Sequence, residues 1–490
     1  MQSPILPILA LLPLAAALVL LFLPAGKRNL IRGIALGTSI VTLILSVIIF
    51  FAYDTTAAGY QFEINGSWLP ALGIGFHMGV DGIGAAMVLM AGLVVFSGVM
   101  ISWRVEDRPR EFFAFLLFLA SSVFGVFSSL DLFLLFIFFE LAVFPKYLMI
   151  VMWGYPKTKE YGGMKLTLYL FFGSMVALVG VLAMYFGSGL HTFDMVALEK
   201  AGFSMEFQQL WFPFVFIGFG VLGGIFPFHS WAPDGHVAAP TAVSMLLAGV
   251  EMKVGVFAAL RAGVMLMPDG MRAWAPLILV LATINVVYGA FIALIQKDFK
   301  YVIGFSSVSH MGLVFIGFAT LTPEGLTGAG LQMFSHGIMT ALFFAVVGMV
   351  YDRAHTRNLD ELGGLFKYMP IAMLGFMVGG LVSMGMPGFS GFIAEIPIYM
   401  GAWKTAPVVA IVSAVSILIT AAYILLVVRK VFFGETPEPI KAGLTDISIM
   451  DKIVVVMLSL IMIIIGLFPS VITPVIESSV NHILVLVGGA

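Results

Sequence analysis

Gly223-Gly-Ile-Phe-Pro-Phe-His-Ser-Trp-Ala-Pro-Asp234 puts two prolines and two glycines at the end of an apolar run that would otherwise cross a membrane. Gly385-Met-Pro-Gly-Phe-Ser-Gly391 interrupts a second such run further along. Proline removes a backbone donor and crowds the preceding turn, and glycine weakens the helix further. In lipid, backbone groups freed this way must be satisfied by protein or by water, so breaks of this kind line a polar route. The pair Pro227 and Pro387 therefore marks two places where a membrane helix is interrupted on purpose.

The rest of the chain agrees with a membrane setting. Of 490 residues, 61% are hydrophobic and 10% charged, with a mean hydropathy of +1.10. Soluble domains carry roughly a quarter of charged residues. No polar stretch is long enough for a separate soluble domain, so 1–490 reads as a single transmembrane domain. A bilayer core needs about 20 apolar residues per helix. Windows of that size fall near 4–23, 31–52, 79–102, 111–129, 131–152, 164–187, 210–228 and 241–265. They continue near 273–295, 301–320, 327–350, 369–402, 408–428 and 453–472. The expected fold is an all-α polytopic membrane protein with about 14 transmembrane helices. The first window has no positive segment before it and reads as a span, not a cleaved leader.

Basic residues test that count independently. Alternate loops on one side hold 18 of the 24 lysines and arginines, among them Arg28, Arg104, Lys159, Lys300, Arg353 and Lys452. The opposite loops hold Lys200, Arg261, Arg272 and Lys404. An invented or missed helix would have scrambled this bias. It places both termini on the outer side. The interrupted spans are the seventh and the twelfth, five apart. That spacing predicts two five-helix halves, at 111–265 and 273–430.

Composition also excludes several functions. A net charge of −2 without a basic tail leaves nothing to hold nucleic acid. With no cysteine, disulfides, thiolate metal sites and iron–sulfur ligation are ruled out, and this chain is not expected to carry electrons. His229, Asp234 and His236 lie by the first break, where capping of a helix end is the expectation and a metal site is not.

A charge at mid-bilayer costs about 2.5–3.5 kcal/mol on insertion scales, so each one needs a reason. Glu140 lies in the fifth span. Lys253 is 13 residues past Pro240, roughly 20 Å along the eighth helix at 1.5 Å per residue. His310 and His336 fall inside the tenth and eleventh spans, and Glu395 follows the second break. Lys146 and Glu251 are two further buried charges. Carboxylates near lysines stay charged by mutual attraction while desolvation opposes it, and histidine titrates near neutrality. Such a set can pass protons from group to group. The competing reading is a set of static ion pairs that only fasten helices together. For Glu251, about 200° around the helix from Lys253, the two readings weigh equally.

Several motifs are recognisable. Phe226-Pro-Phe-His-Ser-Trp-Ala-Pro-Asp234 through Thr241, Met245-Leu-Leu-Ala-Gly-Val-Glu-Met-Lys253, Ser306-Ser-Val-Ser-His310, Gln332-Met-Phe-Ser-His336 and Phe76-His-Met-Gly-Val-Asp-Gly82 resemble the signatures of the proton-conducting antiporter family. The resemblance covers roughly residues 75–430. Members are antiporter-like subunits of respiratory complex I, and Mrp antiporters and membrane hydrogenases share them. Glu395, where other branches carry lysine, resembles the M-type branch of complex I. The resemblance implies inverted repeats, no bound cofactor in this subunit, and a bacterial inner-membrane location. It also implies homologous subunits on either side and electron transfer from NADH or ferredoxin to quinone in other chains. By it, Glu140 is the fifth-helix carboxylate, Lys253 the central lysine, His310 and His336 axial relays, and Glu395 the exit group.

One position departs from the pattern. The family carries a lysine seven residues before the first signature histidine, as partner to the fifth-helix glutamate. Here that position is Leu222. Lys146 is a candidate for the substitute charge, yet six residues put it about 240° around the helix from Glu140, awkward for direct pairing. Either the missing half is rebuilt around Lys146 or Glu251, or conduction is altered. Alternative roles are an Mrp-type Na+/H+ antiporter or hydrogenase subunit, and a non-conducting scaffold.

Overall fold

The computed structural model describes residues 3–57 and 59–488. Among them, thirteen helices are long and apolar enough to cross a membrane. The remaining predicted span, the twelfth, is two shorter helices, Pro370–Ser383 and Ser390–Thr405. Together these make the expected fourteen, and the windows read from the sequence overlap all of them.

Helix starts follow side-chain caps. Asp81, Asp131, Asp298 and Thr322 each accept from backbone amides in the first turn of the third, fifth, tenth and eleventh spans. These carboxylates and hydroxyls satisfy donors that an apolar surrounding would otherwise leave bare. The eighth span, Thr241–Met265, and the eleventh, Pro323–Ala354, have their apolar windows wholly buried, and the tenth nearly so. The first, second, sixth, ninth and fourteenth spans are largely open and form the outer ring. Charges on the inner spans are thereby removed from lipid.

Three features were not anticipated. The fifth span is nicked at Ala142, between Leu132–Leu141 and Val143–Trp153. Pro145 has no amide to offer the carbonyl of Leu141, which accounts for the interruption there. A two-stranded antiparallel hairpin, β1 (Gln61–Leu69) and β2 (Ile74–Val80), precedes the third span, with Asn65 opposite His77. After the last span ends at Leu467, a further helix, Thr473–Leu486, lies against the third span, where Ser479 Oγ accepts from the Ile83 amide at 2.9 Å. The chain is all-helical across the membrane, with the hairpin outside it.

Candidate functional site

Both breaks are satisfied by side chains from neighbouring spans. The seventh span stops at Gly223, and Gly224 (φ +79°) turns the chain in a left-handed conformation that suits glycine. Asn285 of the ninth span accepts from the Phe226 amide and donates to the Gly224 carbonyl at 2.7 Å. Trp231 Nε1 donates to the Val221 carbonyl at 2.8 Å. The chain then runs through a short helix, Trp231–Ala238, into the eighth span. At the twelfth-span break, the Ser383 carbonyl faces His310 Nε2 at 3.1 Å, and Ser335 and Ser390 share a hydrogen bond of 2.8 Å. Gly385 (φ +61°) leaves room for Glu395, since a Cβ there would lie 3.0 Å from Glu395 Oε2.

The structure brings Lys253, His336, His310 and Glu395 into one buried line. Lys253 Nζ donates to the Ala248 carbonyl and meets His336 Nδ1 at 2.7 Å. When Lys253 is an ammonium, Nδ1 is the acceptor, and His336 Nε2 then carries the ring proton toward Ser307 Oγ at 3.2 Å. The His336 and His310 rings stack with centroids 5.4 Å apart. His310 Nδ1 faces the Ser306 carbonyl at 2.8 Å, and Nε2 faces the Ser383 carbonyl. An acceptor is thus in place whichever nitrogen holds the proton. Glu395 Oε1 lies 3.6 Å from His310 Nε2, an ion-pair distance too long for a hydrogen bond, and 3.5 Å from Gln332 Nε2.

The first half of the chain is arranged differently. Lys146 and Glu251 form an ion pair at 2.7 Å, each side chain 1% exposed. Lys146 is therefore bonded to Glu251 and not to Glu140. The Leu247–Glu251 stretch winds as a π-helix, and so does Ala259–Met265. This rare winding recurs at functional sites. Glu251 faces the fifth span and Lys253 the eleventh, so neighbours in sequence serve opposite sides of one helix. Glu140 sits just before the nick, on the wall of an apolar crevice of about 720 Å³ with Phe115, Phe136 and Phe144. Its Oε1 is buried without a partner. Leu222 is buried against the eighth helix at Gly255, so no cation occupies that position.

The residues around the first break separate. Asp234 accepts from Lys165 Nζ at 2.7 Å and from the Tyr301 hydroxyl at 2.8 Å, fastening the sixth and tenth spans to the break. His229 stacks on Phe226. His236 caps nothing, contrary to expectation. It is fully buried, both ring nitrogens lack a partner, and it lies within electrostatic reach of Lys253 and Lys300. Among the described residues no three His, Asp or Glu side chains converge as metal ligands.

Lys300 was counted as a loop lysine, yet it is buried. Its Nζ donates to the Ala239 carbonyl at 2.7 Å and to Ser244 Oγ at 3.0 Å. The signal was available: a lysine in a helix's first turn opposes the helix dipole and needs another purpose. Lys300 also lines a cavity of about 590 Å³ with Tyr155, Tyr351, Asp352 and Arg357, at the end rich in basic loops. Arg261, likewise read as a loop residue, lies inside the eighth span and pairs with Asp81 at 2.7 Å.

At the opposite end, outside the spans, His77 of β2 is held between Asp194 Oδ2 (2.7 Å) and Glu63 Oε1 (2.9 Å). Burial pulls the imidazole down, but the two carboxylates, Asp194 first, outweigh it and leave the pKa raised. Asp194 is lowered: burial opposes this, and the bonds from His77 and from backbone amides prevail.

With this geometry in view, the chain belongs to the family described as NADH:quinone oxidoreductase/Mrp antiporter, TM, which it matches over residues 129–420. Among curated relatives it is 36% identical to NAD(P)H-quinone oxidoreductase chain 4-2 of Synechocystis sp. over 87% of this chain and 78% of that one. It is 34% identical to chain 4 2 of Thermosynechococcus vestitus over 100% of this chain and 93% of that protein. Among solved structures, a chain of respiratory complex I from Thermus thermophilus superposes with a TM-score of 0.90 at 28% identity. That match covers 99% of this chain and 100% of the other. A chain of the Mrp complex from Dietzia sp. shares the fold at 18% identity, with a TM-score of 0.87 over 98% and 97% of the two chains.

Proposed function

We propose that this chain is a proton-translocating membrane-arm subunit of an NAD(P)H-quinone oxidoreductase of the complex I type. It is a multi-pass membrane protein working among homologous antiporter-like subunits. Electron transfer takes place in other subunits, so the chain belongs to an oxidoreductase without performing redox chemistry and needs no cofactor of its own. The observation that carries the reading is the buried line Lys253–His336–His310–Glu395. Its links are short or face-to-face, and it includes groups able both to accept and to donate a proton.

Protons reach Lys253 from the basic-loop end, through the polar cavity at Lys300 and past His236. Lys253 passes a proton to His336 Nδ1. His336 releases its Nε2 proton beside Ser307, His310 takes it up, and Glu395 receives it at the twelfth-span break. In this reading 111–265 and 273–430 are the two inverted halves, each built around one broken helix. Both termini lie on the outer face, as the charge bias of the loops supports, in a bacterial plasma membrane.

Lys253→Met in the assembled complex tests the reading, with proton uptake into inverted vesicles measured beside quinone reduction. Loss of a proton-transfer group slows such a step by about 10²-fold or more. The expected outcome is therefore near-complete loss of uptake through this subunit. Uptake per electron equal to the parent's in both Lys253→Met and His336→Gln would identify a scaffold instead.

A further inference from the structure

The buried pair Lys146–Glu251 takes no part in the line just described. It binds one ammonium to one carboxylate oxygen at 2.7 Å, with neither side chain reaching solvent. Two other buried oxygens near it have no hydrogen-bond partner: Oε1 of Glu251 and Oε1 of Glu140. Lys146 also lies within electrostatic reach of Glu140. One cation thus has two carboxylates within reach of its charge, and it is bonded to Glu251 alone.

The local backbone permits movement between them. The fifth span is interrupted at Ala142, between Glu140 and Lys146, and Pro145 leaves a helix bond unmade there. Lysine carries its charge on a flexible four-carbon stem. Leu222 contributes no charge from the seventh span, so Lys146 has no cationic competitor at that wall.

We propose that Lys146 is a mobile cation that exchanges between Glu251 and Glu140, and that its position gates the loading of Lys253. When Lys146 leaves for Glu140, the Glu251 carboxylate is bared two residues from Lys253, and its field holds a proton on the Lys253 amine. When Lys146 returns, the two charges cancel and Lys253 releases its proton to His336. At Lys146 no covalent bond changes, since one hydrogen bond is exchanged for another; the proton moves only on the Lys253 side, where an N–H bond of Lys253 breaks as one forms at His336 Nδ1. The proposal rests on the relay reading above.

Two variants in the assembled complex test it, with Lys253→Met as reference and quinone reduction and subunit assembly measured alongside proton uptake. Glu251→Gln keeps a neutral acceptor for Lys146 but removes the gating charge. The combined swap Lys146→Glu with Glu251→Lys keeps a buried pair but leaves Glu140 facing a carboxylate. The gate predicts at least a tenfold fall in uptake per electron in both, with assembly intact. Parent-level uptake in Glu251→Gln, or in an assembled swap, overturns the gate and makes the pair a helix fastener. If the swap does not assemble, Glu251→Gln alone decides. If Lys253→Met takes up protons normally, the relay reading falls and the gate with it. If Lys253→Met loses uptake while Glu251→Gln keeps it, the gate alone falls.

Discussion

Removing Glu251 and Lys146 separately and together should give strongly non-additive stabilities. Each charge costs about 2.5–3.5 kcal/mol to place at mid-membrane, and only the partner offsets it. Both side chains are 1% exposed, so solvent gives little relief when one is deleted. Glu251→Leu removes the carboxylate to which Lys146 is bonded, and breaking a buried pair this way typically costs about 3–5 kcal/mol. Lys146→Met leaves a lone carboxylate with a similar penalty. The double variant buries two apolar chains of fitting volume and should be neutral, or more stable by about 1–4 kcal/mol. The coupling between the sites is then about 6 kcal/mol or more, well beyond the few tenths expected of independent positions. Thermal unfolding of the purified complex in detergent, followed by tryptophan fluorescence across the four proteins, measures it. Single variants that unfold like the parent, or effects that simply add, would refute the assignment of a charged pair. A stable double variant that assembles yet fails to take up protons would separate what the pair does from what holds the helices.

Three further outcomes follow from the geometry. Asn285→Ala removes the partners of the Phe226 amide and the Gly224 carbonyl, each worth about 1–3 kcal/mol when left unsatisfied, and should lower the melting temperature clearly; an unchanged value would mean other groups satisfy the break. Gly385→Ala adds a Cβ 3.0 Å from Glu395 Oε2 at a left-handed position, where a side chain costs about 1–2 kcal/mol. It should slow proton uptake and reduce stability together, and full activity would show that the break relaxes freely. The hairpin should be pH-sensitive: His77 is raised above 6.5, so its contribution is complete below that value and fades as pH climbs through the folded pKa. Asp194 is lowered below 3.8, so its contribution is present above that value and fades in stronger acid. Protection of the β2 amides, taken relative to the intrinsic exchange rate at each pH, should therefore fall from pH 6 to pH 9 in the parent and not in His77→Gln; equal falls would remove His77 as the cause.

Most of the transmembrane architecture was legible because hydropathy and loop charge report independently on the same count. The breaks were legible from Pro227 and Pro387, since proline and glycine in lipid have few other uses. The hairpin was missed although Phe62, Ile64 and Trp68 alternate with polar neighbours, a strand period hidden between long apolar runs. The helix Thr473–Leu486 was missed because Glu477, Asn481 and His482 dilute it below a spanning signal. Sequence spacing correctly kept Lys146 from Glu140, but it could not pair Lys146 with Glu251, 105 residues away. That contact is set by helix packing. His236 and Lys300 were misread for one reason: both lie next to turns in sequence, while tertiary packing folds those turns inward. For Lys300 its place in the first turn of a helix was a hint; for His236 no signal in the sequence marks the helix end as submerged.

The π-helical turn at Glu251 has an electrical meaning. It makes the eighth span a partition, with Lys146–Glu251 on one wall and Lys253–His336 on the other. A helix with its side chains is about 10 Å thick. Across that thickness, at an effective dielectric constant near 20, two unit charges interact by about 1.7 kcal/mol, more than a tenfold bias on a protonation equilibrium. Hydrogen-bonded backbone, by contrast, offers a proton no rung to cross on. The eighth span therefore works like the dielectric of a capacitor: a charge displaced on one plate is registered on the other, while no current leaks between them.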